Sequence, residues 1–440
     1  MKEINIPSDF FSGNRIRLSK SLNKRSLAII HSNDELVRTA DQFYPFRQNS
    51  DLFFLTGINQ EKTMLLLFPD FPDENLREVL FIRTSNYKLE TWNGHKLTKE
   101  EAREISGIKT VKWLDELESV IAQFSFLAET FYFNLPEHPK FIPELPSRDH
   151  RFAEELRRKL PLHQVERLAP LIHNLRTVKV DEEIALIREA CKITGKAFKQ
   201  ILSVLKPGMM EYEIEAEMTY HFIRSGAQGH AYQPIIASGI NACTLHYIAN
   251  SKKCKDGELL LMDFGAEYGN YAADCTRTIP VNGKFTPRQR AVYNAVHRIF
   301  LAARKMMKPG NTIGQVHKEV CALSEEEHIL LGLYTASERD YQDKDDPLWQ
   351  RYYMHGTSHF LGLDVHDVGS KEAAFKPGMV LTCEPAIYIP EERMGIRLES
   401  NILITDEGNI DLMQDIPMDA DEIEKLMNKR KPKSNKQQQK

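Results

Sequence analysis

Two triplets, Lys206-Pro207-Gly208 and Lys308-Pro309-Gly310, stand at matching places in two similar stretches of the chain, and this recurrence restricts the possible folds more than any other feature. Each triplet ends one helical pattern and leads into another. Asp181 opens the first pattern, DEEIALIREACKITGKAFKQILSVL, with Ile184, Ile187, Cys191 and Phe198 on or near one face. Thr286-Pro287 opens the second, RQRAVYNAVHRIFLAARKMM, and the segments beyond the triplets, EYEIEAEMTYHFIRSG and TIGQVHKEVCALSEEE, are helical again. Strand-like runs follow each unit: ELLLMDFGAEYGNYAADCTRTIPV after the first, GMVLTCEPAIYI and IRLESNILIT after the second. An internally duplicated domain is expected, with two sheets turning polar residues toward a common crevice.

A chain of 440 residues is too long for one ordinary core, so at least one further domain is expected. From Ser26 to Leu135 short β-prone runs (SLAIIHS, DLFFLTG, TMLLLFPD, EVLFIRT, ETFYFNL) alternate with polar or helical pieces such as KEEAREISG, the rhythm of an α/β domain. Prolines in PEHPKFIPELPSR, residues 136–148, break this rhythm. The expected division is therefore an N-terminal α/β domain over 1–168, a duplicated domain over 169–427, and a disordered basic tail, NKRKPKSNKQQQK, over 428–440.

A formal charge of −4 provides no basic field to hold nucleic acid. No apolar run approaches the ~20 residues of a membrane helix, and the first thirty residues lack the layout of a secretory signal. The cysteines contain no CxxC pair and all lie in the second half, which suits a reducing cytoplasm better than a disulfide scaffold.

Four acids sit inside strand-like apolar runs: Asp263 in LLLMDFG, Asp274 in YAADCTR, Glu384 in VLTCEP and Glu399 in IRLESN. Any one alone reads as an ion pair or a turn cap. Together they are costly to bury unless cations neutralise them. Four carboxylates with one imidazole form a hard, oxygen-rich set suited to two divalent ions about 3.5–4 Å apart. The stretch MHGTSHFLGLDVHDVG adds His355, His359 and His366, among glycines such as Gly356 and Gly362 that permit tight folding.

The stretches NACTLHYIAN, LLLMDFGAEYGNYAADCTRTIPVNGKF, HGTSHFLGLDVHDVG, PGMVLTCEPAIYI and GIRLESNILIT resemble those of aminopeptidase P, of the pita-bread metallopeptidases. The stretch YPFRQNSD, residues 44–51, carries the resemblance into the N-terminal domain. It implies an α+β fold: a duplicated, pseudo-two-fold pita-bread catalytic domain behind an N-terminal creatinase-like α/β domain. It implies Asp263, Asp274, His359, Glu384 and Glu399 as ligands of two divalent ions, manganese first, with zinc, cobalt or iron(II) able to use the same set. His246, His355, His366, Glu384 and Arg397 are implied as catalytic residues, and Asp51 and Tyr388 as substrate-binding ones. For His317, which stands alone, a plain structural hydrogen bond is expected. Two departures are visible: Tyr352-Tyr353 occupies a place where phenylalanines are expected, and IPEERM after Tyr388 is short.

The implied activity is a metallo-exopeptidase that removes an N-terminal residue when proline follows, through a metal-bridging hydroxide, with Glu384 as both ligand and proton shuttle. Its partners would be peptides with proline second and, in a homo-oligomer, further copies of itself. One alternative is prolidase, restricted to Xaa-Pro dipeptides. The other is a metal-free pita-bread module used for binding, whose mark would be missing ligands.

Overall fold

The computed structural model describes residues 4, 6–137, 144–343 and 345–429. The chain separates into two compact units that meet in sequence between Arg176 and Thr177, later than the expected 168/169 boundary. The helix Ala169–Thr177 accounts for the difference, because Arg176 Nη1 lies 2.7 Å from Asp51 Oδ1 deep in the first unit. Most of the expected basic tail, and part of the proline-rich segment, lie outside the described residues.

The first unit is built on a six-stranded sheet. Its strands are β1 (Ser26–His31), β2 (Met64–Leu67), β3 (Glu78–Ile82), β4 (Thr110–Trp113), β5 (Thr130–Phe133) and β6 (Gln164–Arg167), in the order β4-β3-β2-β1-β5-β6. β2 runs antiparallel to both neighbours, and the remaining pairs are parallel. Leu27, Ile29, Leu66, Val79, Phe81 and Phe131 from these strands pack with Phe68, Phe71 and Phe124 into one core. One expected strand is absent: DLFFLTG forms the helix Ser50–Thr56. The Asn49 side chain accepts the Asp51 and Leu52 N–H groups, and this cap outweighs the β propensity of the two phenylalanines.

The second unit realises the duplication. Helices α1 (Asp181–Val204) and α2 (Glu211–Arg224) precede β7 (Ile235–Ser238), β8 (Leu259–Phe264) and β9 (Cys275–Pro280). Helices α3 (Pro287–Met306) and α4 (Ile313–Leu330) precede β10 (Val380–Cys383), β11 (Ala386–Ile389), β12 (Met394–Arg397), β13 (Ser400–Thr405) and β14 (Gly408–Asp411). The sheets β7-β8-β9 and β10-β13-β14 are each antiparallel and three-stranded. The Glu399 N–H donates to the Thr276 carbonyl at 3.0 Å, tying the two halves together. Among the described residues no helix is long and apolar enough to cross a membrane.

Candidate metal centre

Register brings the four acids together in two pairs, one in each sheet. β8 pairs with β9 so that Asp263 faces Thr276, and Asp274 directly precedes β9. β10 pairs with β13 so that Cys383 faces Ser400, which leaves Glu384 and Glu399 as the next residues out on the two strands. Gly265 allows the first pair to close up, since a Cβ there would stand 1.7 Å from the Ala273 carbonyl oxygen. His359 arrives on the loop after α4, where its N–H donates to Thr382 Oγ1 at 3.0 Å and its carbonyl accepts the Thr382 N–H at 2.9 Å.

All five expected ligand side chains join one cluster. Asp274, His359 and Glu399 each offer an atom within 4.8 Å of the other two. Glu384 Oε1 is 3.7 Å from His359 Nε2, and Asp274 Oδ2 is 3.4 Å from it. Asp263 joins through Tyr232, whose hydroxyl is 2.6 Å from both Asp263 Oδ1 and Asp274 Oδ1. The His359 Nδ1–H donates to the Phe360 carbonyl at 2.9 Å, an assignment that leaves Nε2 bare toward the acids, the tautomer a metal ligand needs.

The electrostatics also fit a cation. Burial pushes Asp263 up, lifts Glu384 to about 7, and raises Glu399 well above the usual carboxylate range, where the neighbouring acids add to the effect. Although burial pulls the other way, the Asp274 and Glu384 carboxylates lift His359 to about 9, so without metal Nε2 also holds a proton, which a divalent ion would have to displace. Acids this crowded resist ionising together unless positive charge enters among them. The donor set, oxygen-rich with one imidazole, suits divalent ions.

Beside the acids runs a relay of neutral and charged donors. Arg397 donates from Nη2 to Asp263 Oδ2 at 2.6 Å and from Nη1 to Tyr388 Oη at 2.7 Å. Tyr388 Oη is 2.9 Å from His355 Nε2, and His355 Nδ1 is 2.8 Å from the Gly356 carbonyl. Burial and then the Arg397 charge hold His355 down to about 3, so the ring is neutral and both its nitrogens are engaged within the protein. The ring of His366 stands edge-on to that of His359, centroids 4.5 Å apart. The adjacent Asp367 is locked by Lys179 at 2.9 Å, both side chains being buried. A Cβ at Gly362 would meet Asp367 Oδ2 at 2.2 Å, so only glycine fits this turn of the loop. His246 lies exposed beyond the turn Gly239–Cys243.

Asp51 is buried in the first unit. Its carboxylate accepts from Arg176 Nη1 at 2.7 Å and Asn134 Nδ2 at 2.9 Å. Tyr353, one of the two tyrosines standing where phenylalanines are expected, is fully buried with its ring edge-on to that of His355. Sequence reasoning missed Tyr232 and Thr276. Thr276 donates to Glu399 Oε2 at 2.6 Å and accepts from Arg397 Nε at 3.0 Å.

This site matches a known lineage. Residues 185–406 correspond to metallopeptidase family M24, and residues 11–132 to the N-terminal domain of aminopeptidase P. Xaa-Pro aminopeptidase of Escherichia coli strain K12 is 35% identical over 435 residues, 95% of this chain and 97% of that one. Two solved E. coli structures, a zinc-substituted aminopeptidase P with product and an aminopeptidase P with the inhibitor Pro-Leu, share a TM-score of 0.86 and 33% identity, covering 96% of this chain and 99% of theirs. Fold and site together define a metallopeptidase with a pita-bread catalytic domain. The N-terminal unit and the full-length kinship narrow this further, and the chain belongs to the aminopeptidase P family.

Proposed function

We infer that the chain is a Xaa-Pro aminopeptidase, a metal-dependent exopeptidase hydrolysing the bond between an N-terminal residue and a following proline. The observation that carries this reading is the cluster of Asp263, Asp274, His359, Glu384 and Glu399 at matching ends of duplicated strands. The E. coli structure with Pro-Leu supports proline as part of what such a site receives. Every ligand position is filled, which speaks against a metal-free binding module.

These five residues would hold two divalent ions, with manganese the first choice for an oxygen-rich set. Bound there, the ions supply a water of lowered pKa and polarise the scissile carbonyl. Glu384 takes the proton of the attacking water and hands it to the proline nitrogen as the C–N bond breaks. The proton lets that nitrogen leave as a neutral amine instead of a strongly basic amide anion. His366 and His246 donate to the carbonyl oxygen as it gains charge. Arg397 orients Asp263 and Tyr388, and Tyr388 in turn fixes the His355 ring against the bound peptide. We extend the reading to the cytoplasm, in keeping with six free cysteines, and to a homo-oligomer, which only the family resemblance suggests.

The test is removal and return of the metal. Chelation abolishes hydrolysis of an Xaa-Pro-Yaa tripeptide and manganese restores it. Glu384→Gln keeps part of its bound metal yet loses most turnover, because the amide remains a weak ligand and cannot carry the proton. Full activity in metal-free protein, or a near-normal rate in Glu384→Gln, overturns the mechanism.

A further inference from the structure

Two features of the sequence have so far no part in the reaction: a tyrosine at 353 where the family resemblance calls for phenylalanine, and the isolated His317. The structure joins them. Tyr353 Oη lies 2.7 Å from Thr357 Oγ1, and Nδ1 of His317, on α4, lies 2.9 Å from the same oxygen. Tyr353 and Thr357 are without exposed surface. A threonine hydroxyl has one proton and two lone pairs, so it can accept from the tyrosine and donate to the imidazole. Burial holds His317 below its ordinary value, and the ring is accordingly neutral and able to accept.

The backbone of Thr357 connects directly with the active site. Its carbonyl accepts the Glu384 N–H at 2.9 Å, two residues before the point where the His359 backbone laces onto Thr382. The Tyr353 ring meets the His355 ring edge-on at 5.0 Å. On its far side His317 borders a cavity of about 390 Å³ with Lys318, Cys321 and Trp349. Cys321 Sγ lies 3.6 Å from the imidazole Nε2, and a thiol is too weak an acceptor to take over the Thr357 proton if the ring is removed.

We propose that His317 is a positioning residue: through the Thr357 hydroxyl it fixes the loop carrying His355 and His359 against Glu384. Without the imidazole, a buried hydroxyl loses its acceptor and the loop loses the anchor that ties it to α4. The Glu384 amide then follows Thr357, and small displacements of a metal-binding carboxylate are expensive in both affinity and rate. This inference rests on the aminopeptidase reading for its rate effect, and on the ligand set alone for its binding effect.

The experiment uses the full-length protein, with manganese binding followed by calorimetric titration and tripeptide hydrolysis by initial rates. His317→Ala lowers kcat about tenfold, shifts KM less than about twofold and weakens manganese binding several-fold. His317→Gln, whose amide can accept from Thr357, returns both quantities to within about threefold of the native protein. If His317→Ala lowers only the melting temperature, the histidine merely fills space and the inference fails. Equal losses in the two variants would also overturn it, since volume rather than the hydrogen bond would then matter. A native protein that binds manganese but cleaves no Xaa-Pro peptide refutes the aminopeptidase reading, and the titration still decides the role of His317.

Discussion

Tyr232 sets one phenolic oxygen between two carboxylates, and burial followed by the nearby acids drives its own ionisation far out of reach. It therefore keeps its one proton, which it can give to one of the two carboxyls while accepting from the other when that one is protonated, and so links Asp263 to Asp274. Tyr232→Phe should weaken manganese binding by about tenfold, measured by titration of the chelated protein, with the fold retained; unchanged affinity would show the hydroxyl to be incidental. Nothing in GHAYQPIIASG announces this role, because a tyrosine in an apolar run looks like ordinary core. The acids were readable for the opposite reason: carboxylates among LLLMDF or VLTCEP have no comfortable structural explanation. Asp51 shows the limit of such reading. Its motif resembles the family as closely as the ligands do, and its carboxylate accepts from Arg176 and Asn134 within the first unit, contacts that composition gave no means to foresee.

At the level of elements, the close approach of β8 to the segment before β9 depends on Gly265. Gly265→Ala would force the Cβ into the Ala273 carbonyl and part the two strands, so both thermal stability and manganese binding should fall sharply. A variant that melts and binds metal like the native protein would contradict this. In the last turn of α4, burial alone pulls His328 down to about 4. The unfolded chain takes up that proton near the ordinary value of about 6.5, so between these two values the unfolded state binds more protons. The stability tied to a neutral His328 is thus complete above about pH 6.5, declines as pH falls, and levels off below about 4. The loss amounts to about 3 kcal/mol at most. Urea unfolding at pH 7 and pH 5 should show a smaller loss for His328→Gln than for the native protein; identical losses would assign the pH dependence to other groups. The helices of the duplicated units were readable from period and punctuation, since capping and apolar spacing are local. DLFFLTG was not, because its local composition favours a strand and the Asn49 cap decides otherwise.

For the whole molecule, the repeat of helix, triplet, helix and sheet predicted a duplicated domain, and the observed strand registers bear out the duplication. Each half delivers two acids from paired strands, and neither half alone supplies the set. The domain boundary was less accessible, because composition marks the prolines at 136–148 while the division is fixed by where the helix Ala169–Thr177 finds its partners. Kinship with aminopeptidase P leaves one point on which the activity turns, the length of peptide the site takes. The decisive measurement compares kcat/KM for matched Xaa-Pro-Yaa tripeptides and Xaa-Pro dipeptides, on the chelated enzyme and again after manganese is restored. The account predicts no cleavage without metal and, with it, a clear preference for tripeptides and longer chains. Much faster cleavage of the dipeptides would make the enzyme a prolidase, and cleavage undiminished by chelation would contradict the metal centre itself.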